Sequence, residues 1–243
     1  MTTELIKSGI PGLDDIFKGG IRKNSSILLT GQPGTGKSIF ALQFIIQGAQ
    51  EGEPGIYITS EESVEAIREY AKSLNLELEQ YEQSGLIVIM KQSITSRKIL
   101  TLGEITSLMK NHQIRRVVLD SITLFQYGQQ ERLTNFRKEL LDFLELMKES
   151  KVTLLCTSEK PITDLDRLQY EPQDFLFEGV IILMKIRKGS SFERVLHVAK
   201  MRGQDHLINV YPFIIESCGI KVRKDEIPFS LIDKDFRSSE KNG

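Results

Sequence analysis

One stretch of sequence decides the fold class: Gly31-Gln32-Pro33-Gly34-Thr35-Gly36-Lys37-Ser38. It is a complete G-x-x-x-x-G-K-[ST] phosphate-binding loop (P-loop), in which the backbone N–H groups surround a polyphosphate, the lysine reaches the terminal phosphates and the serine hydroxyl binds Mg²⁺. Residues 26–30 before the loop form a short apolar run that predicts a strand, and residues 38–47 after it predict a helix. This order turns the positive end of the helix dipole toward the bound anion.

Composition is typical of a soluble globular protein. The 243 residues are 40% hydrophobic and 27% charged, which is enough for one large α/β domain. The formal net charge of −1 gives no general attraction to nucleic acid or to an anionic membrane. The first residues lack a signal-peptide profile, and the longest apolar run, residues 179–184, is too short to span a bilayer. We therefore expect a cytoplasmic protein without a membrane segment.

The two cysteines, Cys156 and Cys218, both lie inside apolar runs. We expect both to be buried, reduced thiols, which also fits a cytosolic protein. The three histidines do not stand at metal-ligand spacing from these cysteines, so no zinc site is expected.

Apolar periodicity predicts an α/β fold that ends in antiparallel strands. Between residues 26 and 156, short apolar strands alternate with helical segments, the longest at 130–149, which favours a mostly parallel sheet with helices on both faces. Strands at 180–186 and 195–198 then flank a turn and predict a hairpin. A further strand pair lies at 213–215 and 220–222. We expect one domain over residues 1–230 and a polar, disordered tail over 231–243.

Hydrolysis requires a metal holder and a group that activates water, and acidic residues that follow predicted strands are candidates for both. Asp120 ends a buried strand and would hold Mg²⁺ with Ser38; the alternative is an aspartate that caps a turn. Glu61 and Glu62 follow the strand at 56–59, at the sheet edge where ligands bind. One of them would act as general base on the attacking water. The alternative is the acidic first turn of the next helix.

Two further pairs of residues could contact phosphate. Thr157 and Ser158 end another strand and either sense the γ-phosphate or are satisfied loop hydroxyls. Lys200 and Arg202 are two residues apart on a strand, so both side chains lie on one face. They either clamp a phosphate or belong to a solvated strand edge. The chain has no Asn-Lys-x-Asp guanine reader, which favours ATP over GTP.

These motifs together resemble the KaiC-like branch of the RecA superfamily of ATPases. The resemblance extends from Gly9 to Val222. The matching blocks are Gly9-Ile10-Pro11-Gly12-Leu13-Asp14, Gly19-Gly20, the P-loop, Ala41-Leu42-Gln43-Phe44, Glu51-Gly52-Glu53-Pro54-Gly55, Glu61-Glu62-Ser63, Leu119-Asp120-Ser121, Glu178-Gly179-Val180-Ile181, Lys200-Met201-Arg202-Gly203 with His206, and Gly219-Ile220.

The resemblance implies a homo-oligomeric ring, typically a hexamer, with Mg²⁺ and ATP bound between subunits. It implies that Lys37 and one of the two glutamates act in catalysis, and that Lys200 and Arg202 enter from the neighbouring subunit as cations. The nucleotide contacts that it implies are Gly34, Thr35, Gly36, Lys37, Ser38, Ile39 and the base-side Ser73 from one subunit, and Lys200, Met201, Arg202 and His206 from its neighbour.

Three departures from the family pattern limit which properties of the family we expect in this chain. KaiC has two such domains, and this chain has one. The phosphorylated KaiC domain has a Ser-Thr pair shortly before the strand at Gly179, but residues 165–178 here contain no Ser or Thr, so autokinase activity is not expected. Glu216 and Ser217 stand where a Thr-Asp pair often occurs.

The leading prediction is a slowly hydrolysing ATPase ring whose nucleotide state regulates an unidentified protein partner. One alternative is a recombinase-like DNA-binding ATPase, although the connection at 159–178 is acidic. The better basic patch for DNA is Lys185, Arg187 and Lys188. The other alternative is a scaffold whose assembly, without turnover, is controlled by ATP.

Overall fold

The computed structural model describes residues 4–92, 102–123, 130–162 and 168–231. Within these residues, strands β1 (Leu5–Ile6) and β2 (Ile21–Arg22) form a small separate ribbon, and nine further strands form one sheet. The nine are β3 (Ser26–Gly31), β4 (Gly55–Thr59), β5 (Ile87–Lys91), β6 (Arg116–Asp120), β7 (Thr153–Glu159), β8 (Gly179–Lys188), β9 (Ser191–Met201), β10 (Val210–Glu216) and β11 (Gly219–Val222).

The large sheet is parallel on one side of its centre and antiparallel on the other, in the order β11-β10-β9-β8-β3-β7-β6-β4-β5. The central strand β3 is parallel to both neighbours, with Gly31 opposite Glu159 of β7 and Leu183 of β8. Strand β8 then turns back into β9, and β10 and β11 continue the antiparallel part. The predicted hairpin, the final strand pair and the α/β fold class are therefore confirmed.

Helices cover both faces of the sheet. They are α1 (Leu13–Ile16), α2 (Lys37–Gln50), α3 (Val64–Ser73), α4 (Leu78–Gln83), α5 (Leu102–His112) and α6 (Gln130–Glu149), with a 3₁₀ turn at Pro172–Phe175. The predicted helix at 130–149 is confirmed, and the helix of the P-loop extends three residues beyond the predicted end at residue 47. Helix α4 was not predicted, because its six residues, mostly Glu and Gln, give no apolar period.

Alternating side chains on the strands supply two separate cores. In β3, Ile27 and Leu29 pack on the face of the sheet that α2 covers, whereas Leu28 packs on the face that α6 covers. In β4, Tyr57 shares the α2 face, and its neighbours Ile56 and Ile58 point the other way. Strand periodicity therefore directs Tyr57, alone in this trio, toward the helix that follows the P-loop.

The expectation for the cysteines is half right. Cys156 is buried in β7, but Cys218 is exposed. The physical reason is that Glu216 pairs with Gly219, which leaves Ser217 and Cys218 as the two residues of a hairpin turn, where side chains face solvent. Of the predicted tail, residues 232–243 lie outside the described residues. No helix in the described ranges is long and apolar enough to cross a membrane.

Candidate nucleotide-binding site

The P-loop lies at the carboxyl edge of the parallel strands, beside a cavity of about 340 Å³. Gly31 is packed so tightly that a Cβ there would lie 2.2 Å from the Leu183 carbonyl oxygen. Gly36 has a φ of 110°, a left-handed conformation that favours glycine, and forms the N-cap of α2. The cavity is lined by Gly34, Gly36, Lys37, Ser38, Ile39, Glu61, Glu62, Tyr70, Ser73, Leu74, Asp120, Ser121 and Glu159.

Lys37 is held at the mouth of the loop by neutral oxygens. Its side chain is 7% exposed, and its amine donates to the carbonyl oxygens of Gly31 and Gln32, each at 3.0 Å. A carboxylate oxygen of Glu159 lies 3.7 Å from the same amine. Burial lowers the pKa of Lys37, and the nearby charges of Glu159 and Asp120 oppose that shift. The Lys37 amine therefore makes hydrogen bonds with neutral carbonyl oxygens, and an incoming anion can replace them.

Asp120 lies on the strand next to both β4 and β7, and side chains from both strands hold it. The Tyr57 hydroxyl donates to one carboxylate oxygen at 2.6 Å, and the Thr157 hydroxyl donates to the other. The Ser38 side chain interacts with the same Tyr57 hydroxyl. Hydroxyls from β4 and β7 therefore hold the two carboxylate oxygens of Asp120, the predicted metal holder at the end of β6. Hydroxyl and carboxylate oxygens suit Mg²⁺, so the donor set fits the expected ion.

The two glutamates lie before α3 instead of inside its first turn. The helix is capped by Ser63, whose hydroxyl accepts from the Ala66 N–H at 3.1 Å. The first-turn alternative for Glu61 and Glu62 is therefore wrong. Both side chains are exposed and line the cavity, but only Glu61 has an orienting contact among the described side chains, from the Ser121 hydroxyl at 2.8 Å.

Thr35 and Ser73 occupy different surroundings. Thr35 is buried and its hydroxyl donates to the Gln32 carbonyl oxygen at 2.8 Å, so the side chain braces the loop and is not among the cavity-lining residues. Ser73 lines the cavity, and its hydroxyl donates to the Tyr70 carbonyl oxygen at 2.8 Å. For Thr157, the contact with Asp120 supports a satisfied hydroxyl over a γ-phosphate sensor.

Lys200 and Arg202 lie near the amino ends of the parallel strands, whereas the P-loop lies at their carboxyl ends. Met201 of β9 pairs with Gly179 of β8, and Gly179 pairs with Ile27, four residues before Gly31. At roughly 3.3 Å per residue, the separation along the strands is about 13 Å. Within one subunit, these cations and the P-loop are therefore not brought together.

The two cations share one contact region, as their predicted common face requires. The Lys200 amine donates to the Asp174 carbonyl oxygen at 3.0 Å, and the Arg202 guanidinium donates to the Phe175 carbonyl oxygen at 3.1 Å. Met201 points the other way and is buried in its own core, 5% exposed. The His206 ring lies 6.5 Å from the Phe17 ring.

Comparison with known proteins classifies the chain. Residues 6–227 match the family model described as "ATPase: KaiC". The chain belongs to the KaiC family of ATPases. KaiC of Synechococcus elongatus is 30% identical over 228 residues, which are 89% of this chain and 44% of that protein. With the KaiC3 of Synechocystis the share is 48%, so the chain spans about half the length of the first curated relatives it matches.

Two relatives match this KaiC family member over nearly their whole length. The UPF0273 protein MK0039 of Methanopyrus kandleri is 30% identical over 248 residues, covering 93% of this chain and 95% of that protein. The solved structure of the KaiC-like protein PH0186 from Pyrococcus horikoshii has 35% identity and a TM-score of 0.80, and the match covers 91% of this chain and 99% of that one. This neighbour supports the mixed parallel and antiparallel sheet described above.

Sequence reasoning missed two residues of this KaiC-type site, Tyr57 and Glu159. Tyr57 could have been suspected because a tyrosine inside a buried strand needs a partner for its hydroxyl. Glu159 directly follows the Thr157-Ser158 pair that sequence reasoning had selected. Its position opposite Gly31 depends on β7 lying next to β3, which the order of strands along the chain does not reveal.

Proposed function

We propose that residues 1–230 form a single domain that assembles in the cytoplasm into a ring, binds Mg²⁺ and ATP between subunits, hydrolyses ATP slowly and regulates a protein partner. One observation carries this proposal. Lys37, Asp120 and Glu61 surround one cavity, whereas the cations Lys200 and Arg202 lie about 13 Å along the sheet from it. Membership of an ATPase family supports the reaction class.

Within one subunit, each side chain has a role in hydrolysis that follows from its charge. Lys37 exchanges its carbonyl contacts for the terminal phosphates, which it neutralises. Ser38 and Asp120 hold the metal, which withdraws electron density from the phosphate oxygens. Glu61, oriented by Ser121, accepts a proton from the attacking water, and Glu62 is the second candidate for that role.

The neighbouring subunit supplies two further cations. Lys200 and Arg202 approach the phosphates from the adjacent protomer, and His206 accompanies them. The Met201 side chain is buried in its own core, so a contact from this residue uses its backbone. A head-to-tail interface of this kind closes into a ring when the rotation between subunits permits, and we propose six subunits.

The decisive test mixes two inactive variants. Lys37→Ala removes the phosphate contact and Arg202→Ala removes the contact from the neighbour, so each protein alone should release little phosphate. In a mixture of equal amounts, an interface is complete when an intact Lys37 meets an intact Arg202 from the next subunit, which occurs at about a quarter of random interfaces. Mixing should therefore restore roughly a quarter of wild-type turnover.

Controls make this test specific. Arg137→Ala removes an exposed arginine on α6 and should behave like the wild type. Mass measurement with and without ATP shows whether each variant still assembles. Rings that form from the mixture but recover no turnover would contradict cations acting between subunits, and a wild-type protein that binds no ATP would remove the whole proposal.

The same measurements, together with a DNA-binding assay, decide the two alternatives. Assembly that depends on ATP but releases no phosphate, even with a partner present, would favour the scaffold. Salt-sensitive binding of single-stranded DNA would favour the recombinase-like function. In the basic patch of that alternative, the Lys185 amine donates to the Pro33 carbonyl oxygen of the P-loop at 3.3 Å, so it is already engaged.

A further inference from the structure

Tyr57 is a buried tyrosine whose hydroxyl contacts Asp120, one of the two groups proposed to hold the metal. Its side chain is 0% exposed and packs with the core under α2. The hydroxyl donates to one Asp120 oxygen at 2.6 Å, and the Ser38 side chain interacts with the same hydroxyl. A side chain of β4 therefore contacts the carboxylate at the end of β6, 63 residues further along the chain.

The contacts of Tyr57 and Thr157 restrain the Asp120 carboxylate in rotation. Each hydroxyl binds a different carboxylate oxygen, so rotation about the last side-chain bond would break both hydrogen bonds. A carboxylate oxygen has two acceptor positions, and each oxygen therefore keeps one for a cation. The aspartate is restrained and still able to bind metal.

A tyrosine that only filled the core would not need a hydrogen bond from its hydroxyl to Asp120. Phenylalanine would fill almost the same volume and would avoid burying a polar atom. The neighbouring residues of β4, Ile56 and Ile58, fill the opposite core without any polar group. The hydroxyl of Tyr57 thus has its partners in the metal-binding region and not in the apolar core around its ring.

We propose that Tyr57 is a positioning residue that orients Asp120 for a divalent cation and sets the preference for Mg²⁺ over Ca²⁺. This inference rests on the proposed function of the same site. Mg²⁺ requires nearly ideal octahedral geometry with short bonds, whereas Ca²⁺ accepts longer bonds and variable geometry. A restrained carboxylate therefore favours the smaller ion, and a freely rotating one discriminates less.

The test compares Tyr57→Phe with Tyr211→Phe, which changes a buried tyrosine of β10, three strands from the P-loop strand. Binding of a fluorescent ATP analogue is measured in EDTA and then during titration with Mg²⁺ or Ca²⁺. In Tyr57→Phe the half-saturating Mg²⁺ concentration should rise about tenfold, at the lower end of the loss in metal affinity that follows removal of a ligand's hydrogen-bond partner. The half-saturating Ca²⁺ concentration should change by less than about threefold, because that ion tolerates a mobile ligand.

Three results would overturn the inference: unchanged titrations, equal shifts for both ions, or the same shift in Tyr211→Phe. A loss of analogue binding in EDTA would also count against it, since it would indicate general damage to the site. Thr157→Val provides an independent variant that removes the other restraint and should lower the ratio of Mg²⁺ to Ca²⁺ affinity in the same direction. Thermal unfolding of each variant checks that it is folded.

The outcomes separate this inference from the proposed function. If the wild-type protein shows no metal-dependent binding of the analogue, the proposed function fails, and this inference fails with it. If the wild-type protein binds with metal and Tyr57→Phe is indistinguishable from it, only the positioning role fails.

Discussion

Arg116 is a fully buried charge, and its removal should destabilise the whole domain. The side chain is 0% exposed and lies at the start of β6. Its guanidinium connects three parts of the fold through the Glu53 carboxylate at 2.7 Å, the Glu51 carboxylate at 2.9 Å, the Lys7 carbonyl oxygen at 2.8 Å and the Phe44 carbonyl oxygen at 3.1 Å. The charged group also lies 5.0 Å from the centre of the Phe44 ring.

The expected cost follows from the exposure of the partners that the arginine would leave behind. In Arg116→Met the aliphatic volume is largely kept, but Glu53, with 19% of its side chain exposed, loses its ion-pair partner. Glu51 is 35% exposed, so water screens much of its contribution. Loss of one partner from a buried ion pair costs about 3–5 kcal/mol. Because both carboxylates retain some hydration, we expect about 3 kcal/mol.

Urea unfolding followed by circular dichroism measures this difference directly. The matched control is Arg115→Met, which changes the adjacent, exposed arginine and should alter the free energy of unfolding by less than about 0.5 kcal/mol. A loss below about 1 kcal/mol in Arg116→Met would refute the reasoning, since it would mean that the hydrophobic replacement compensates for the lost ion pairs.

Three further predictions concern single contacts. In Gly48→Ala the new Cβ would lie 2.5 Å from the Arg116 Cδ. The free energy of unfolding should therefore fall by about 1–3 kcal/mol, seen as a lower melting temperature, although alanine usually favours a helix. Asp174→Asn removes the ion pair with Lys160 at 2.7 Å, both side chains being mostly buried, and should speed proteolytic cleavage between residues 160 and 178. A thiol reagent should titrate one cysteine in the native chain, the exposed Cys218, and a second only in denaturant, because burial raises the pKa of the other thiol.

Sequence reasoning identified the features whose spacing is fixed locally. The P-loop and its flanking strand and helix were predictable because backbone N–H groups can surround a phosphate only with glycines at set positions. Asp120 was predictable because a polar residue that ends an apolar strand lies at the carboxyl edge of the sheet, where ligands bind. The hairpin of β8 and β9 followed from two apolar runs around Gly189.

What sequence reasoning missed depends on which strands are neighbours in space. Strand β6 lies between β7 and β4, so the Asp120 carboxylate accepts hydrogen bonds from the Thr157 hydroxyl on one side and the Tyr57 hydroxyl on the other. Chain order gives no indication of this, since β4 and β6 are separated by β5 in sequence. Glu159 reaches Lys37 for the same reason. Small elements such as the two-residue strands β1 and β2 were missed because so few residues show no periodicity.

Strand direction explains why the role that we propose for Lys200 and Arg202 requires a second subunit. Strands β3, β6 and β7 are parallel, so the residues that follow them gather at the carboxyl edge, where the P-loop lies. Strand β9 is antiparallel to β8, and a hairpin necessarily returns its final residues to the other edge, where Lys200 and Arg202 lie. Closing that gap within one chain would require breaking the pairing of β8 with β3. Bringing another subunit's opposite edge to the cavity requires no change in the fold, which is why our proposal places these cations at the P-loop of a neighbour in a head-to-tail assembly.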